Sequence, residues 1–206
     1  MNTSVTTSKS NSIIFDLIAL TKPRVNFLII FTAIVGMLLA QDYNLDYELM
    51  LYASIGIYLA ASAAAVINQI VDQKIDALMD RTRGRPLIRG RVTTQHAMFF
   101  SIFISFISTY ILYEFVNTIT TILTLFSIIV YSIIYSVYLK NLTSQNIVIG
   151  GIAGAMPPLL GWTAVTNGVS ELPLLLFLII FLWTPPHFWA LAVYKKDDYS
   201  KANVPM

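Results

Sequence analysis

The composition of this 206-residue chain excludes a water-soluble globular protein, because 56% of its residues are hydrophobic, only 12% are charged, and the mean hydropathy is +0.70. An ordinary soluble domain carries roughly 25% charged residues. The absence of cysteine excludes disulfides and thiolate-bound metals. With a net charge of only +2, we expect no nucleic-acid partner. Long apolar stretches predict one integral membrane domain at residues 21–206, after a short polar tail at residues 1–20.

Six stretches without Asp, Glu, Lys or Arg approach the roughly 17 to 25 residues that a membrane-spanning helix needs. They cover residues 25–40, 49–71, 97–113, 115–139, 147–165 and 172–194. The chain is therefore predicted to be an all-α integral membrane protein with six transmembrane helices. Glycines 150, 151, 154 and 161 predict close helix contacts in the fifth stretch, and the prolines at 157–158 predict a kink there.

The distribution of charge predicts the orientation. If the N-terminus is cytoplasmic, all 13 Lys and Arg residues fall in cytoplasmic segments, and the charged residues of the opposite loops are all acidic. Basic residues are retained on the cytoplasmic side, so this orientation is favoured. The cytoplasmic acids concentrate in two segments, after the second and sixth stretches, and we expect any chemistry to occur there.

The first acidic segment has a four-residue period. Asn68, Asp72, Asp76 and Asp80 recur at steps that place them along one stripe of an α-helix. Like charges at this spacing repel one another, and a divalent cation would remove the repulsion. Oxygen ligands of this kind suit Mg²⁺, which commonly bridges one or two carboxylates to a substrate phosphate.

Five arginines follow between residues 81 and 91, and each can donate a pair of hydrogen bonds to a phosphate. The alternative is that these arginines are ordinary positive-inside anchors on anionic lipid and that the acids form a solvated helix end. The acidic stripe at the membrane surface favours a metal-bridged, phosphate-bearing substrate that is reached from the cytoplasm.

These residues resemble the UbiA superfamily of intramembrane prenyltransferases, whose first aspartate-rich motif, NxxxDxxxD, is matched by Asn68, Asp72 and Asp76. Four blocks resemble, more narrowly, the branch of that superfamily that farnesylates haem. They are residues 20–24, 76–87 with 90–91, 146–162, and 186–192 followed by 198–199 and 202–206. The resemblance covers the chain from about residue 20 to its end.

The resemblance implies an all-helical bundle of the UbiA type, whose cavity opens to the cytoplasm and to lipid. Mg²⁺ held by the aspartate motifs would bind farnesyl diphosphate, and departure of the diphosphate would leave an allylic cation. A vinyl group of haem b would capture this cation and give haem O for haem-copper terminal oxidases. The bacterial inner membrane would be the location, with haem A synthase or a terminal oxidase assembly as a partner.

The resemblance also implies the site residues. Asp72 and Asp76 are expected to be catalytic, and the metal ligands are Asp72, Asp76, Asp80 and Asp198. The substrate-binding residues are expected to be Asn68, Lys22, Arg24, Arg81, Arg83, Arg85, Arg91, Lys196 and Tyr199. Asp198 is assigned through an Asp-Tyr pair, because Lys201 and Ala202 occupy the positions that would complete a second DxxxD motif.

The sixth stretch contains Pro185 and Pro186, which predict an interrupted helix that lines the cavity. His187 follows them. A histidine within a membrane span is commonly just hydrogen-bonded to a neighbour. Its place in the Pro-His-Phe-Trp block favours a catalytic contact with haem instead.

The family is expected to have nine spans, so a chain with six is expected to lack the C-terminal third and to be inactive or less stable by itself. Two other functions stay open. One is a prenyltransferase of the same type that acts on an aromatic or quinone precursor. The other is an inactive fragment or a haem-handling membrane protein.

Overall fold

The structure is a computed structural model that describes residues 13–40, 46–143 and 145–194. Its helices are α1 (Ile13–Leu20), α2 (Pro23–Ala40), α3 (Tyr47–Val71), α4 (Gln73–Leu78), α5 (Thr94–Phe115), α6 (Thr118–Ile129), a π-helical segment (Val130–Leu139), α7 (Lys140–Leu142), α8 (Asn146–Thr166) and α9 (Glu171–Tyr194). We call the end of the bundle at which α2 begins and α3 ends the inner end, and the opposite end the outer end.

The six predicted spans are confirmed. Within the described ranges, six helices are long and apolar enough to cross a bilayer: α2, α3, α5, α6 with the π-helical segment, α8 and α9. Several begin at polar caps, which hydropathy alone does not locate. Asp46 accepts a hydrogen bond from the Leu49 N–H at 3.0 Å before α3, and Asn117 accepts one from the Thr120 N–H at 2.8 Å before α6.

The structure differs from the predicted polar tail, residues 1–20, in the second half of that stretch. Residues 1–12 lie outside the described residues, whereas Ile13–Leu20 forms α1 and buries Asp16 and Leu20. The Asp16 carboxylate pairs with the Arg91 guanidinium at 3.3 Å, and Leu20 packs in an apolar cluster with Val66 and Val92. Because both contacts are long-range, α1 belongs to the folded unit.

The prediction that Pro185 and Pro186 interrupt the sixth span is wrong, because α9 continues through both prolines as one helix. α8 is likewise continuous through Pro157 and Pro158. A proline lacks the N–H that would bond to the carbonyl four residues earlier, so each proline removes one backbone hydrogen bond from these helices without interrupting them. α9 does line the central cavity described below, through Thr184 and Phe188.

Small residues set the packing of the bundle. α3 packs along α5, and α8 lies between α2 and α9. α2 and α8 touch through their backbones: a Cβ atom at Gly36 would overlap the Pro158 carbonyl, and one at Gly161 would overlap that of Ala33. Next to this crossing lies the larger apolar cluster, which includes Ala33, Met37, Ala53, Ile57, Leu112, Met156, Leu159, Leu160 and Ala164. The core of the outer half is therefore filled by apolar side chains and by this contact between backbones.

We expect Gly161→Leu to destabilise the bundle by more than the roughly 1 to 3 kcal/mol typical of an overpacked core, because the obstacle is backbone and cannot rotate away. Thermal unfolding in detergent micelles would measure the loss. Gly154→Ala is the control, since a Cβ there meets nothing within 4 Å. Equal unfolding temperatures for the two variants would contradict the contact between α2 and α8.

Candidate active site

The acidic segment forms a short break between two helices. α3 ends at Val71, Asp72 caps it, and α4 begins at the next residue, so that Asp72 and Asp76 remain one turn apart and each is only 3% exposed. Met79 then takes an extended backbone and ends α4. Asp80 is exposed and pairs with Arg83, so the predicted single stripe is wrong beyond Met79.

Asp72 is the centre of a polar network that joins three segments. Its Oδ2 atom accepts hydrogen bonds from Lys140 Nζ at 2.6 Å and from the Asn68 side-chain amide at 3.0 Å. The same amide donates to Ser136 at 3.0 Å, and the Asn68 carbonyl oxygen accepts from Lys22 Nζ at 3.1 Å. The start of α2, the end of α3 and the end of the π-helical segment therefore meet at Asp72.

The second carboxylate oxygen of Asp72 takes no part in this network. Its Oδ1 atom is buried and has no hydrogen-bond partner, although a buried unpaired carboxylate oxygen is costly. Asp76 pairs with Arg85 and lines the same cavity as Asp72. Among the residues that the structure describes, no group of three or more His, Cys, Asp or Glu side chains converges as a metal site. Two carboxylates match Mg²⁺, which completes its shell with water and substrate oxygens.

The π-helical segment aligns Lys140 with the tyrosines. Five residues rotate an α-helix by about 500°, so Lys140 would lie about 140° away from the face of Tyr135. The wider π turn, closed by a bond from the Lys140 N–H to the Tyr135 carbonyl, brings both side chains to the cavity. Tyr131 also lines the cavity, and its ring stacks on that of Tyr135 with the centroids 5.6 Å apart.

Lys22 reaches this network from the turn between α1 and α2. Its backbone φ of 54° lies in the left-handed region, a strained conformation for a lysine. Burial, and then repulsion by the nearby Arg85 guanidinium, lowers the pKa of Lys22 from 10.5 to about 8, although Asp72 and Asp76 partly oppose this shift. Lys22 is therefore charged at neutral pH but loses its proton more easily than an ordinary lysine.

The network lies in the mouth of a cavity of about 760 Å³ inside the helix bundle. This volume is within the range of roughly 300 to 1,000 Å³ for small-molecule sites. Alanines of α3 leave the space open: Ala60, Ala61, Ala64 and Ala65 all line it. Among the described residues that line the cavity, the charged ones are Lys22, Asp72, Asp76, Arg81, Arg85 and Lys140. Four cations thus face two carboxylates, and the mouth suits an anionic group.

Several predicted site residues lie elsewhere. Arg24 is exposed, and Arg83 and Arg91 are paired with Asp80 and Asp16 respectively. His187 is exposed on α9, where its ring contacts Trp183 and Phe188 with centroids 5.8 Å and 5.6 Å away. None of these four predicted residues lines the cavity. Lys196, Asp198 and Tyr199 lie outside the described residues.

Lys140 is the main site residue that the predicted set omits. It is the single basic residue between the fourth and fifth spans, and its place on the same membrane side as the acidic segment was an available signal. Its approach to Asp72, however, depends on the π-helical geometry, which no residue pattern in the sequence indicates.

We expect Lys140→Met to destabilise the protein by about 3 to 5 kcal/mol, since it leaves the buried Asp72 charge without its cation. The double variant Lys140→Met, Asp72→Asn should regain most of this loss, because the buried charge is then gone. Unfolding in detergent without added metal would compare the four proteins of the cycle. A double variant less stable than Lys140→Met would contradict the pairing.

The comparisons with known proteins agree with this geometry. Residues 29–206 match the UbiA prenyltransferase family. Over 191 residues the chain is 54% identical to a protoheme IX farnesyltransferase of Hahella chejuensis, and over 187 residues 52% identical to one of Nitrosomonas eutropha. The alignments cover 93% and 91% of this chain, but only 64% and 63% of those relatives. The chain therefore spans a little under two thirds of their length.

Two solved structures share the fold. A UbiA homolog from Archaeoglobus fulgidus, bound to DMAPP and Mg²⁺, is 17% identical with a TM-score of 0.73, over 92% of this chain and 67% of the other. A digeranylgeranylglyceryl phosphate synthase is 19% identical with a TM-score of 0.77, over 93% of this chain and 67% of the other. On the family match and these identities, the chain is a multi-pass membrane protein that belongs to the UbiA prenyltransferase family.

Proposed function

We propose that the cavity transfers the farnesyl group of farnesyl diphosphate to a vinyl group of haem b and so makes haem O. The observation that carries the proposal is the pair of buried carboxylates, Asp72 and Asp76, that share the mouth of an apolar intramembrane cavity with four cationic side chains. The identity of 54% to a protoheme IX farnesyltransferase supports this choice of substrates over an aromatic or quinone precursor.

The donor set fits Mg²⁺. Asp72 offers a buried oxygen without a partner, and Asp76 is one helical turn away on the same cavity wall. When bound, Mg²⁺ would neutralise charge on the diphosphate and help it to leave. The related protein from Archaeoglobus fulgidus is described with Mg²⁺ and a prenyl diphosphate bound, which supports the same requirement here.

The cationic side chains would hold the diphosphate. Lys140 and Arg85 pair with the two carboxylates, and Lys22 bonds to Asn68 within the same network. Lys140, Arg85 and Lys22 would turn from these partners toward phosphate oxygens, where charge grows as the carbon–oxygen bond breaks. Fixed cations in a site without bulk water stabilise such charge strongly.

The part of the cavity beyond its mouth, toward the outer end, would protect the allylic cation from water. Its walls are mainly apolar, and the stacked rings of Tyr131 and Tyr135 present π faces that stabilise a carbocation. The terminal vinyl carbon of the haem would then attack the allylic cation and form the new carbon–carbon bond, which moves the positive charge to the adjacent vinyl carbon. A water molecule would add there and release a proton, which gives the hydroxyethylfarnesyl side chain of haem O. A contact of His187 with the haem stays a prediction, supported by the packing of its ring on Phe188, which does line the cavity.

The location of the site follows from charge. Lys22, Arg81, Arg85 and Lys140 all lie at the inner end of the bundle, and basic residues are retained on the cytoplasmic side. This charge supports our proposal that the site opens to the cytoplasm. The similarity to protoheme IX farnesyltransferases of Hahella chejuensis and Nitrosomonas eutropha supports a bacterial inner membrane as the location. A partner among haem A synthase and the terminal oxidase assembly would receive the poorly soluble product directly.

The six spans suggest an inactive chain, but the described helices already form the cavity and its polar mouth. We therefore expect membranes that contain this chain, haem b, farnesyl diphosphate and Mg²⁺ to form haem O, and we expect EDTA, Asp72→Asn or Asp76→Asn to reduce turnover at least about 100-fold, as for other groups that stabilise transition-state charge. Mass analysis of extracted haems would measure the product, and circular dichroism would check that the helices persist.

Glu171→Gln, at the exposed start of α9 and the outer end, is the matched control and should retain activity. Asp80→Asn distinguishes the sequence prediction from the structure, because a loss equal to that of Asp72→Asn would restore the predicted metal role of Asp80. Activity that persists in Asp72→Asn would contradict the proposed site.

We expect the binding of Mg²⁺-pyrophosphate to weaken as the pH rises above about 8, by up to tenfold per pH unit, because an anion binds the charged form of Lys22 and its pKa is about 8. Lys22→Arg should weaken this dependence, since arginine stays protonated. Isothermal titration calorimetry from pH 7 to 9.5 would measure the affinity of the wild type and of Lys22→Arg. Protonation of pyrophosphate affects both proteins equally, so the difference between their pH dependences reports on Lys22. Identical slopes would contradict a role of Lys22.

A further inference from the structure

The cavity is blind at its outer end. Three of its lining residues, Ile57, Met156 and Leu160, also belong to the apolar cluster that fills the outer half of the bundle. Immediately beyond Leu160, Gly161 lies against the Ala33 carbonyl, and this contact between backbones leaves no passage between α2 and α8. An extended apolar chain that enters from the inner end therefore meets a rigid floor.

Thr124 lies at the same depth as this floor. One helical turn farther out, the Thr120 hydroxyl donates to that of Thr163 at 3.0 Å, which places Thr124 level with Leu160. The Thr124 side chain lines the cavity, is 2% exposed, and its hydroxyl has no hydrogen-bond partner. The floor is thus apolar except for one unpaired hydroxyl.

The depth of the cavity corresponds to a particular chain length. Asp72 and Ile57 are fifteen residues apart, which on a helix is about 22 Å. A farnesyl group has twelve carbons in its main chain and, with the bond to the diphosphate oxygen, twelve bonds along it, which at about 1.2 Å per bond of an extended chain span about 14 Å. The remainder, about 8 Å, is the space for the carboxylate, the metal, the diphosphate and the floor side chains. One more isoprene unit adds about 5 Å and would run into the floor.

We propose that Ile57, Thr124 and Leu160 form a floor that limits the donor to about three isoprene units. This inference rests on the proposed function, since it assumes that the diphosphate binds at Asp72 and Asp76. It identifies residues that determine specificity and take no part in the chemical step.

The test is binding of non-reactive donors that carry two, three or four isoprene units, the geranyl, farnesyl and geranylgeranyl thiodiphosphates, to the whole chain in detergent with Mg²⁺. We expect the wild type to bind the farnesyl analogue at least about tenfold more tightly than the geranylgeranyl analogue, because an extra unit overpacks the floor. Leu160→Ala should reduce this preference to within about threefold.

Gly154→Leu should shorten the space for the donor chain, whereas Leu160→Ala should lengthen it, and it removes no side chain from the core. Gly154 lines the cavity about eight residues in from Asn146, and a Cβ there meets nothing within 4 Å. A leucine at this position should obstruct the farnesyl chain and shift the preference toward the geranyl analogue. Thr124→Val should strengthen binding of the farnesyl analogue, which reaches the floor, and leave the geranyl analogue unchanged.

Binding of Mg²⁺-pyrophosphate separates the two proposals, because it needs the mouth of the cavity and not the floor. If pyrophosphate does not bind, or binds equally in Asp72→Asn, the proposed function fails. If pyrophosphate binds as expected but the wild type accepts the geranylgeranyl analogue as well as the farnesyl one, the chain leaves the cavity sideways and the floor is overturned. An unchanged preference in both Leu160→Ala and Gly154→Leu would overturn it as well.

Discussion

The buried charge of Asp72 is the constraint on which the inner end of this bundle depends. Removing a carboxylate from water costs several kcal/mol unless a cation and hydrogen bonds replace the solvent. Here Asn68 bonds to Asp72 from one turn earlier on α3, and two distant segments supply cations: Lys140 from the end of the π-helical segment directly, and Lys22 through Asn68. Compensating one carboxylate therefore brings together three helix ends, and these define the mouth of the cavity.

The surplus of positive charge gives this arrangement its chemical character. Asp72 and Asp76 face Lys22, Arg81, Arg85 and Lys140 at the cavity mouth. The repulsion among these cations contributes to the lowered pKa of Lys22. An anionic group would relieve that repulsion, and a metal held by Asp72 and Asp76 would add to the attraction. The same charges that stabilise the fold without substrate are thus suited to a diphosphate.

Small residues have opposite effects in the two halves of the bundle. On α3, Ala60, Ala61, Ala64 and Ala65 face the cavity, and their short side chains leave it hollow. At the crossing of α2 and α8, Gly36 and Gly161 allow the backbones to touch and leave no space. The difference lies in what faces the residue, since a small side chain creates a cavity only where no other helix moves in to fill it.

The amino-acid sequence by itself determined the membrane class, the six spans, the side on which the charges gather, and the NxxxDxxxD pair. These features are local, because hydropathy, charge and an i, i+4 spacing need no knowledge of distant contacts. Tertiary structure alone decided that Asp80 turns outward after Met79, that Arg91 pairs with Asp16, and that the π turn aligns Lys140 with Asp72. The last two outcomes depend on which distant group neutralises a buried charge, and the first depends on where α4 ends, at the extended backbone of Met79. Chain spacing encodes neither.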